Sequence, residues 1–208
     1  MNASEAHGHL LASTRRLLES LAAPPLAPFL AEWPGPEASF TPDAADPAVP
    51  RATMPSLPVL QWLPRLAGAA DVRDAQLIAA LCRAAPLLEW RQTYTAKEVG
   101  VEFLQNYAWC EILGPKARQP SLRIACGFLL LGPDTLYPRH RHAAEEIYLP
   151  LSGTAHWQQG DGNWRRRAPG ALIHHLSEEP HAMRTADAPL LALYLWRGAD
   201  LSGHAHLD

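Results

Sequence analysis

The chain is poor in lysine and has no long apolar run. Lys97 and Lys116 are the lysines among 18 basic residues, and the formal net charge is −3. This weakly acidic balance gives no reason to expect a nucleic-acid or membrane-surface partner. No apolar run reaches the ~18 residues that a membrane span requires. We therefore expect neither nucleic acid nor membrane among its partners.

Cysteine is also scarce. Cys82, Cys110 and Cys126 are far apart and odd in number, which excludes a disulfide framework and a zinc-ribbon spacing. We expect buried thiols in a reducing compartment. The first residues lack the basic and then apolar pattern of a signal peptide. A soluble cytoplasmic protein is the resulting expectation.

The two halves of the chain have different patterns. Residues 1–104 read as helical, with apolar residues at helical spacing from Leu10 and again after Asp74, a candidate helix cap. Between them, residues 33–58 are rich in proline, alanine and aspartate, which predicts an irregular connection. Residues 105–208 contain short apolar or alternating runs separated by glycine and proline. We predict one structural unit, a helical extension joined to an antiparallel β-sandwich or β-barrel.

Nine strands are predicted in the second half. The turn Gly160-Asp161-Gly162-Asn163 is typical of a tight hairpin because its residues tolerate positive φ angles. The predicted strands are Tyr107–Leu113, Leu122–Leu131, Leu136–His142, Glu146–Leu151, Thr154–Gln158, Trp164–Arg167, Ala171–His174, Ala182–Thr185 and Leu190–Trp196.

Four chemically active side chains lie at even-numbered positions within a short stretch. They are His140, His142, Glu146 and Tyr148. Because side chains two residues apart on a strand share a face, the two imidazoles can point together from one strand, and the carboxylate and phenol from the next. Divalent transition metals bind such mixed nitrogen and oxygen clusters. The sequence therefore predicts a metal site inside a small β-barrel.

The strand that carries Glu146 has two different faces. Ile147, Leu149 and Leu151 point away from Glu146 and Tyr148, and all three are apolar. An apolar outer face needs a cover, and the amphipathic N-terminal helices can supply it. We expect the helical extension to pack outside the sheet.

The spacing of these polar residues resembles a known signature. His140-x-His142-x-x-x-Glu146, followed by six residues and then Gly153, is similar to the first signature of the cupin family. The resemblance implies the cupin antiparallel β-barrel, also called the double-stranded β-helix. It also implies one bound divalent transition metal, for which Fe²⁺, Zn²⁺, Mn²⁺ and Ni²⁺ all suit the ligands.

The second cupin signature would supply one more histidine. Pro169-Gly170 is similar to its turn, and the histidine is His174, His175 or His181. We assign His181 because it begins a later predicted strand, where a cupin ligand lies. The resemblance thus implies a ligand set of His140, His142, Glu146 and His181.

Two longer stretches resemble the dimethylsulfoniopropionate (DMSP) lyase branch of the cupins. One runs from Glu145 to Trp157, and the other runs from Pro180 to Thr185 and ends in Leu193-Tyr194-Leu195-Trp196-Arg197-Gly198. The resemblance implies a carbon–sulfur lyase that forms dimethyl sulfide and acrylate. In that family the residue matching Tyr148 ligates the metal or acts as the base, and those matching Tyr137 and Trp196 line the substrate pocket.

The chemistry of this cleavage supports the same assignments. It is a β-elimination, in which a base removes a weakly acidic proton beside the carboxylate. A nearby dication would favour the phenolate of Tyr148, which makes this residue the predicted base. Aromatic faces attract the sulfonium cation, and Tyr137, Trp157 and Trp196 are candidates for that contact.

Two other functions remain open. The same ligands would serve another metal-dependent cupin enzyme, such as a different lyase, a dioxygenase or an isomerase acting on another small carboxylate. A non-catalytic, metal-dependent sensor is the second alternative, although the sequence contains no recognisable output segment. If the protein is an enzyme, we expect a small-molecule substrate. A homodimer is also possible, because cupins often dimerise.

Overall fold

The computed structural model describes residues 3–35, 57–69, 73–201, 203 and 205–208. Most of the predicted irregular connection over residues 33–58 lies outside this described part. The α-helices are α1 (Ala3–Leu21), α2 (Ala27–Ala31), α3 (Leu63–Ala67), α4 (Ala75–Ala84), α5 (Ala96–Val99) and α6 (Val101–Gln105). Short 3₁₀ turns are formed by Pro24–Leu26, Pro58–Trp62 and Ala85–Leu87. In the described part of the chain, no helix combines the length and apolarity that crossing a membrane demands.

The β-strands form two antiparallel sheets. The strands are β1 (Trp90–Arg91), β2 (Tyr107–Leu113), β3 (Ile124–Leu131), β4 (Leu136–Arg141), β5 (Glu145–Ser152), β6 (Ala155–Gln159), β7 (Arg165–Arg167), β8 (Ile173–His175), β9 (His181–Thr185), β10 (Leu190–Arg197) and β11 (His206–Leu207). One sheet has the order β1-β2-β3-β10-β5-β8, and the other has the order β11-β4-β9-β6-β7. This mainly β architecture, preceded by helices, confirms the fold class that the cupin resemblance implied.

The two longer helices begin and end for local reasons. The side chain of Asp74 accepts a hydrogen bond from the Leu77 N–H at 2.9 Å and so caps α4. Ala22 follows α1 with a φ of +47°, and Pro24 then prevents the helix from continuing. Both helices bury one apolar stripe, as their helical periodicity predicts.

The two faces of β5 lie in different cores. Ile147, Leu149 and Leu151 are fully buried in one hydrophobic cluster with Leu10 and Leu18 of α1. The opposite face of β5 carries Tyr148 into a second cluster between the strands. The outer packing of the helices against β5 is therefore as predicted.

Two glycines shape the turns on either side of β6. Gly153 has a φ of +81°, and a Cβ atom there would lie 2.0 Å from the carbonyl oxygen of Pro189. No other residue fits that position without moving the backbone. Gly160 has a φ of +51° in the predicted hairpin, where the Gly162 N–H donates to the Gln159 carbonyl at 2.9 Å. The turn joins β6 to the antiparallel strand β7.

The helical cover gives a stability prediction. Leu149→Ala removes a fully buried side chain from the outer cluster and should lower the free energy of unfolding by about 2–5 kcal/mol. Urea denaturation followed by circular dichroism measures this loss. Leu136→Ala is the matched control, because Leu136 is 55% exposed on β4 and its loss should change stability by less than about 0.5 kcal/mol. Equal losses in the two variants would contradict the packing described here.

Candidate metal centre and adjoining cavity

The candidate site is assembled by the register of the strands. In the first sheet, Glu146 of β5 lies opposite Trp196 of β10 on one side and opposite His175 of β8 on the other. In the second sheet, His140 of β4 lies opposite His181 of β9. Directly opposite residues on antiparallel strands point to the same face, so each sheet presents one row of functional side chains. The rows meet where His181 Nε2 lies 3.2 Å from Glu146 Oε2.

Three buried imidazoles form the centre of the site. His140, His142 and His181 each offer one nitrogen, and these nitrogens lie within 4.8 Å of one another. The ring centroid of His181 is 4.2 Å from that of His140 and 5.2 Å from that of His142. This arrangement is compatible with one metal ion held between the two sheets.

Backbone carbonyl groups orient all three rings. The Nδ1 atoms of His140, His142 and His181 lie 2.8, 2.9 and 2.8 Å from main-chain oxygens. The oxygens belong to Pro138, Ala144 and Glu179 respectively. A carbonyl oxygen only accepts, so each Nδ1 carries the proton and donates it. The Nε2 atoms are thereby left to face the centre, which is the arrangement common to metal-binding histidines.

Glu146 adds a carboxylate to this cluster. Its Oε2 lies 2.8 Å from His142 Nε2, and its Oε1 accepts a hydrogen bond from Trp196 Nε1 at 2.7 Å. Burial by itself would raise the pKa of Glu146, but the adjacent His142 and His181 hold that pKa well below its ordinary value. Glu146 is therefore an anion that is fully buried at the meeting point of the two sheets.

The imidazoles respond differently to this environment. Burial and the neighbouring His181 lower the pKa of His140 well below its ordinary value, so His140 is neutral. Burial also acts to lower the pKa of His142, but the charge and hydrogen bond of Glu146 raise it overall. A metal ion at this position would replace the proton shared by His142 and Glu146.

The donor set fits a divalent transition metal. The Nε2 atom of His181 is buried and lies 3.2 Å from Glu146 Oε2, but the geometry there is not that of a hydrogen bond, and the atom has no hydrogen-bond partner among the described residues. A bound cation would satisfy this atom, and neutral imidazoles with one carboxylate are suitable ligands for Fe²⁺, Zn²⁺, Mn²⁺ or Ni²⁺. His140, His142 and His181, with Glu146 beside them, are the residues that could hold it.

A cavity of about 360 Å³ adjoins the cluster. Four of the residues that the sequence analysis selected lie in its wall: Tyr137, Glu146, Tyr148 and Trp196. Aromatic rings and a few charged groups complete the lining, among them Tyr107, Trp109, Tyr194, Glu111, Lys116 and Arg91. A small zwitterionic molecule would meet both aromatic faces and polar groups in such a cavity.

Two of the cavity phenols are tightly held. Tyr137 stacks on His140 with ring centroids 4.1 Å apart, and its hydroxyl lies 3.2 Å from that of Tyr94. Tyr148 lies on the neighbouring wall, and burial together with the Glu146 charge raises its pKa well above the ordinary value. Without a compensating positive charge, Tyr148 is a neutral phenol.

The remaining predicted residues lie at different distances from the centre. Trp157 is buried, with its ring centroid 6.2 Å from that of Tyr148, and it is not in the cavity wall formed by the described residues. His174 points elsewhere, because its Nε2 lies 2.8 Å from Glu145 Oε1. His175 stacks on His181 but does not belong to the imidazole triad. Of the three histidines left open by the second signature, His181 is the one in the triad.

Sequence reasoning missed Thr93, which lines the cavity, and Tyr94, which contacts the cavity residue Tyr137. Thr93 and Tyr94 come from the segment after β1, within the part of the chain predicted as a helical extension. No motif marked them, and only the three-dimensional fold brings Tyr94 beside Tyr137 and Thr93 beside Tyr107. Tyr194 could have been found, because it lies two residues before Trp196 on the same strand and therefore shares its face.

Comparison with known proteins agrees with this geometry. Residues 40–192, more than half of the chain, match a family profile described as dimethylsulfoniopropionate lyase. The chain belongs to the DMSP lyase family. The family resemblance predicted from the sequence is therefore confirmed.

Two curated relatives match part of the chain. It is 36% identical over 129 residues to dimethylsulfoniopropionate lyase DddQ of Ruegeria pomeroyi, with 62% of each protein covered. It is 37% identical over 123 residues to the putative dimethylsulfoniopropionate lyase DddL of Cereibacter sphaeroides, covering 58% of this chain and 50% of that protein. The matched stretches therefore span less than two thirds of either curated relative.

Solved structures match along almost the whole chain. A chain from the crystal structures of the DMSP lyases RdDddP and RnDddQII has a TM-score of 0.79 at 30% identity, covering 100% of both chains. The crystal structure of DddQ from Ruegeria pomeroyi has a TM-score of 0.76 at 29% identity, covering 98% of this chain and 96% of that one. The helical region and the sheets are thus part of one shared architecture.

The imidazole triad gives a prediction about metal content. His181→Ala removes one of the three converging nitrogens and should lower the bound metal, measured by elemental analysis of the purified protein, by about 10-fold or more. His174→Ala is the control, because this neighbouring histidine pairs with Glu145 outside the triad and its loss should leave the metal content unchanged. Equal metal in the two variants would argue against His181 as a ligand.

Proposed function

We propose that this protein is a metal-dependent carbon–sulfur lyase that cleaves DMSP to dimethyl sulfide and acrylate by β-elimination. One observation carries the proposal: in a chain of the DMSP lyase family, Glu146 of the candidate metal cluster, Tyr148 and Trp196 line the same cavity. The relatives named DMSP lyase support the same substrate.

The cavity suits the two charged ends of this substrate. DMSP carries a carboxylate at one end and a sulfonium cation at the other. Trp196 and Tyr137 line the cavity, and an aromatic face attracts a cation by ~0.5–2 kcal/mol. Trp157 was also a candidate for this contact; its ring centroid lies 6.2 Å from that of Tyr148, and it is not among the described residues that line the cavity. In this arrangement the sulfonium lies against the indole and phenol rings, and the carboxylate points toward the ligand cluster.

A metal would contribute charge to the reaction. When bound by His140, His142, Glu146 and His181, a divalent cation supplies positive charge that favours the phenolate of Tyr148 and stabilises the negative charge that develops beside the substrate carboxylate.

Tyr148 acts as the base. Its phenolate oxygen takes the proton from the carbon next to the substrate carboxylate, and the electrons of that bond form the carbon–carbon double bond of acrylate. The carbon–sulfur bond breaks at the same time, and its electron pair leaves with sulfur as neutral dimethyl sulfide. The burial that raises the pKa of Tyr148 also makes its phenolate a stronger base once formed.

Trp196 orients the anionic ligand. Its indole N–H donates to Glu146 Oε1, which leaves Oε2 directed toward His142 and His181. The same indole ring lies 4.3 Å from the ring of His142, measured between centroids. Trp196 therefore connects the substrate cavity to the ligand cluster.

The proposed reaction is tested directly with purified protein. Protein loaded with one metal at a time is incubated with DMSP, and dimethyl sulfide in the headspace and acrylate in solution are quantified. We expect equal amounts of both products, the same rate without oxygen, and loss of the activity after chelation. A folded, metal-loaded protein that releases no dimethyl sulfide would instead favour another small carboxylate as substrate.

A substitution of the base separates chemistry from metal binding. Tyr148→Phe should lower kcat by about 10²- to 10⁴-fold while the metal content stays unchanged, because only the proton acceptor is lost. The matched control is Tyr194→Phe, which removes a buried hydroxyl directly opposite Tyr148 in the strand register and should cost far less. A Tyr148→Phe variant with near-normal kcat would show that another group takes the proton.

A further inference from the structure

His175 occupies the third place in the row that carries Trp196 and Glu146. It lies directly opposite Glu146 in the pairing of β5 with β8, on the side away from Trp196. Trp196 binds one carboxylate oxygen of Glu146, and Glu146 reaches the imidazole triad. The register therefore places His175 at the same face and the same level as the candidate ligands.

The ring of His175 contacts the ring of His181 face to face. Their centroids lie 4.0 Å apart with an angle of 18° between the ring planes. His181 is also held at Nδ1 by the carbonyl of Glu179. The carbonyl fixes one edge of the His181 ring, and His175 limits rotation of its plane.

The surrounding protein does not supply hydrogen bonds to the ring nitrogens of His175. The residue is completely buried, and neither ring nitrogen has a hydrogen-bond partner among the residues that the structure describes. Its Nδ1 lies 3.6 Å from Glu179 Oε2, an oxygen that accepts a hydrogen bond from the Leu176 N–H at 3.1 Å. His175 thus differs from the three triad histidines, each of which donates from Nδ1 to a backbone carbonyl.

If only packing mattered, histidine would be a less favourable side chain at position 175 than an apolar ring. A buried polar group without a partner destabilises the fold, whereas phenylalanine would stack on His181 without that cost. Functional sites are where proteins tolerate such local costs. Packing in the hydrophobic core alone therefore does not explain an imidazole at this position.

We propose that His175 is a positioning residue of the metal centre: its ring holds the plane of the His181 imidazole, and one of its nitrogens makes a hydrogen bond within the loaded site. The inference rests on the proposed metal centre, and it does not depend on DMSP as the substrate. Substituting His175 should therefore change the stability of the metal-free protein and the affinity for metal in opposite directions.

His175→Phe tests whether the stability of the metal-free protein and its affinity for metal change in opposite directions, with Co²⁺ as the probe. The variant keeps a ring of similar shape and loses both nitrogens. We expect the thermal midpoint of the metal-free protein to rise by about 2–4 °C as the unpaired group is removed. We also expect the Co²⁺ dissociation constant, measured against a competing chelator, to rise by about 10- to 100-fold, with a changed visible absorption band.

Two further variants make the result decisive. His174→Phe alters the adjacent residue, whose ring meets Phe29 and pairs with Glu145 on the other side of the strand, and it should leave Co²⁺ affinity and spectrum as in the wild type. His175→Gln keeps a hydrogen-bonding group without the ring and should recover part of the affinity lost in His175→Phe.

The possible failures are distinguishable. A folded His175→Phe protein with unchanged Co²⁺ affinity and spectrum would overturn the role of His175 and leave the metal centre intact. If His175→Phe does not fold, wild-type Co²⁺ affinity in His175→Ala would overturn it in the same way. A wild-type protein that binds no Co²⁺ would overturn the proposed metal centre itself.

Discussion

The buried carboxylate of Glu146 is the constraint on which the site depends. It is fully buried, and a buried negative charge is tolerated only when charged or hydrogen-bonding groups surround it. Trp196 supplies one such group from the same sheet, and His142 supplies another from the side of the second sheet, where His181 Nε2 also lies 3.2 Å from Glu146 Oε2. The two sheets are therefore joined at this point by polar contacts, whereas most of the surrounding interface is apolar and aromatic.

This constraint also explains the direction of the neighbouring shifts in pKa. Glu146 raises the pKa of His142 by direct pairing, and together with burial it raises the pKa of Tyr148. A cation held between the histidines would reverse the local balance, because it would favour the ionised phenol and displace the proton of His142. The charge between the two sheets, either the Glu146 carboxylate alone or that carboxylate with a bound cation, thus sets the direction in which the pKa values of His142 and Tyr148 shift.

Much of this arrangement was predictable because it follows from local periodicity. Alternation along β4 and β5 predicted that His140, Glu146 and Tyr148 face the interior, and the apolar outer face of β5 predicted a helical cover. The strand Tyr107–Leu113 was predicted with its observed bounds. Such features depend on neighbours only two residues apart, so the sequence contains them directly.

Other parts of the site depend on pairing between distant segments, which periodicity cannot predict. Tyr94 reaches Tyr137 only because β1 adds to the edge of β2, and nothing in the local sequence around Tyr94 indicates that contact. His175 lies beside Glu146 through a strand pairing that joins residues far apart in the chain. Similarly, Trp157 has the parity of an inward residue and is buried near Tyr148, but it is not among the described residues that line the cavity.

The segment that contains Thr93 and Tyr94 separates one part of the cavity wall from the candidate ligands. The candidate ligands all come from β4, the turn after it, β5 and β9, whereas Thr93 and Tyr94 enter from a segment that precedes the long strands. Tyr137 and Tyr148 line the cavity from the same strands as candidate ligands, but Thr93 lines it from a different part of the chain. Substitutions or short insertions near residue 93 would therefore alter this part of the cavity wall while the ligand-bearing strands stay unaltered.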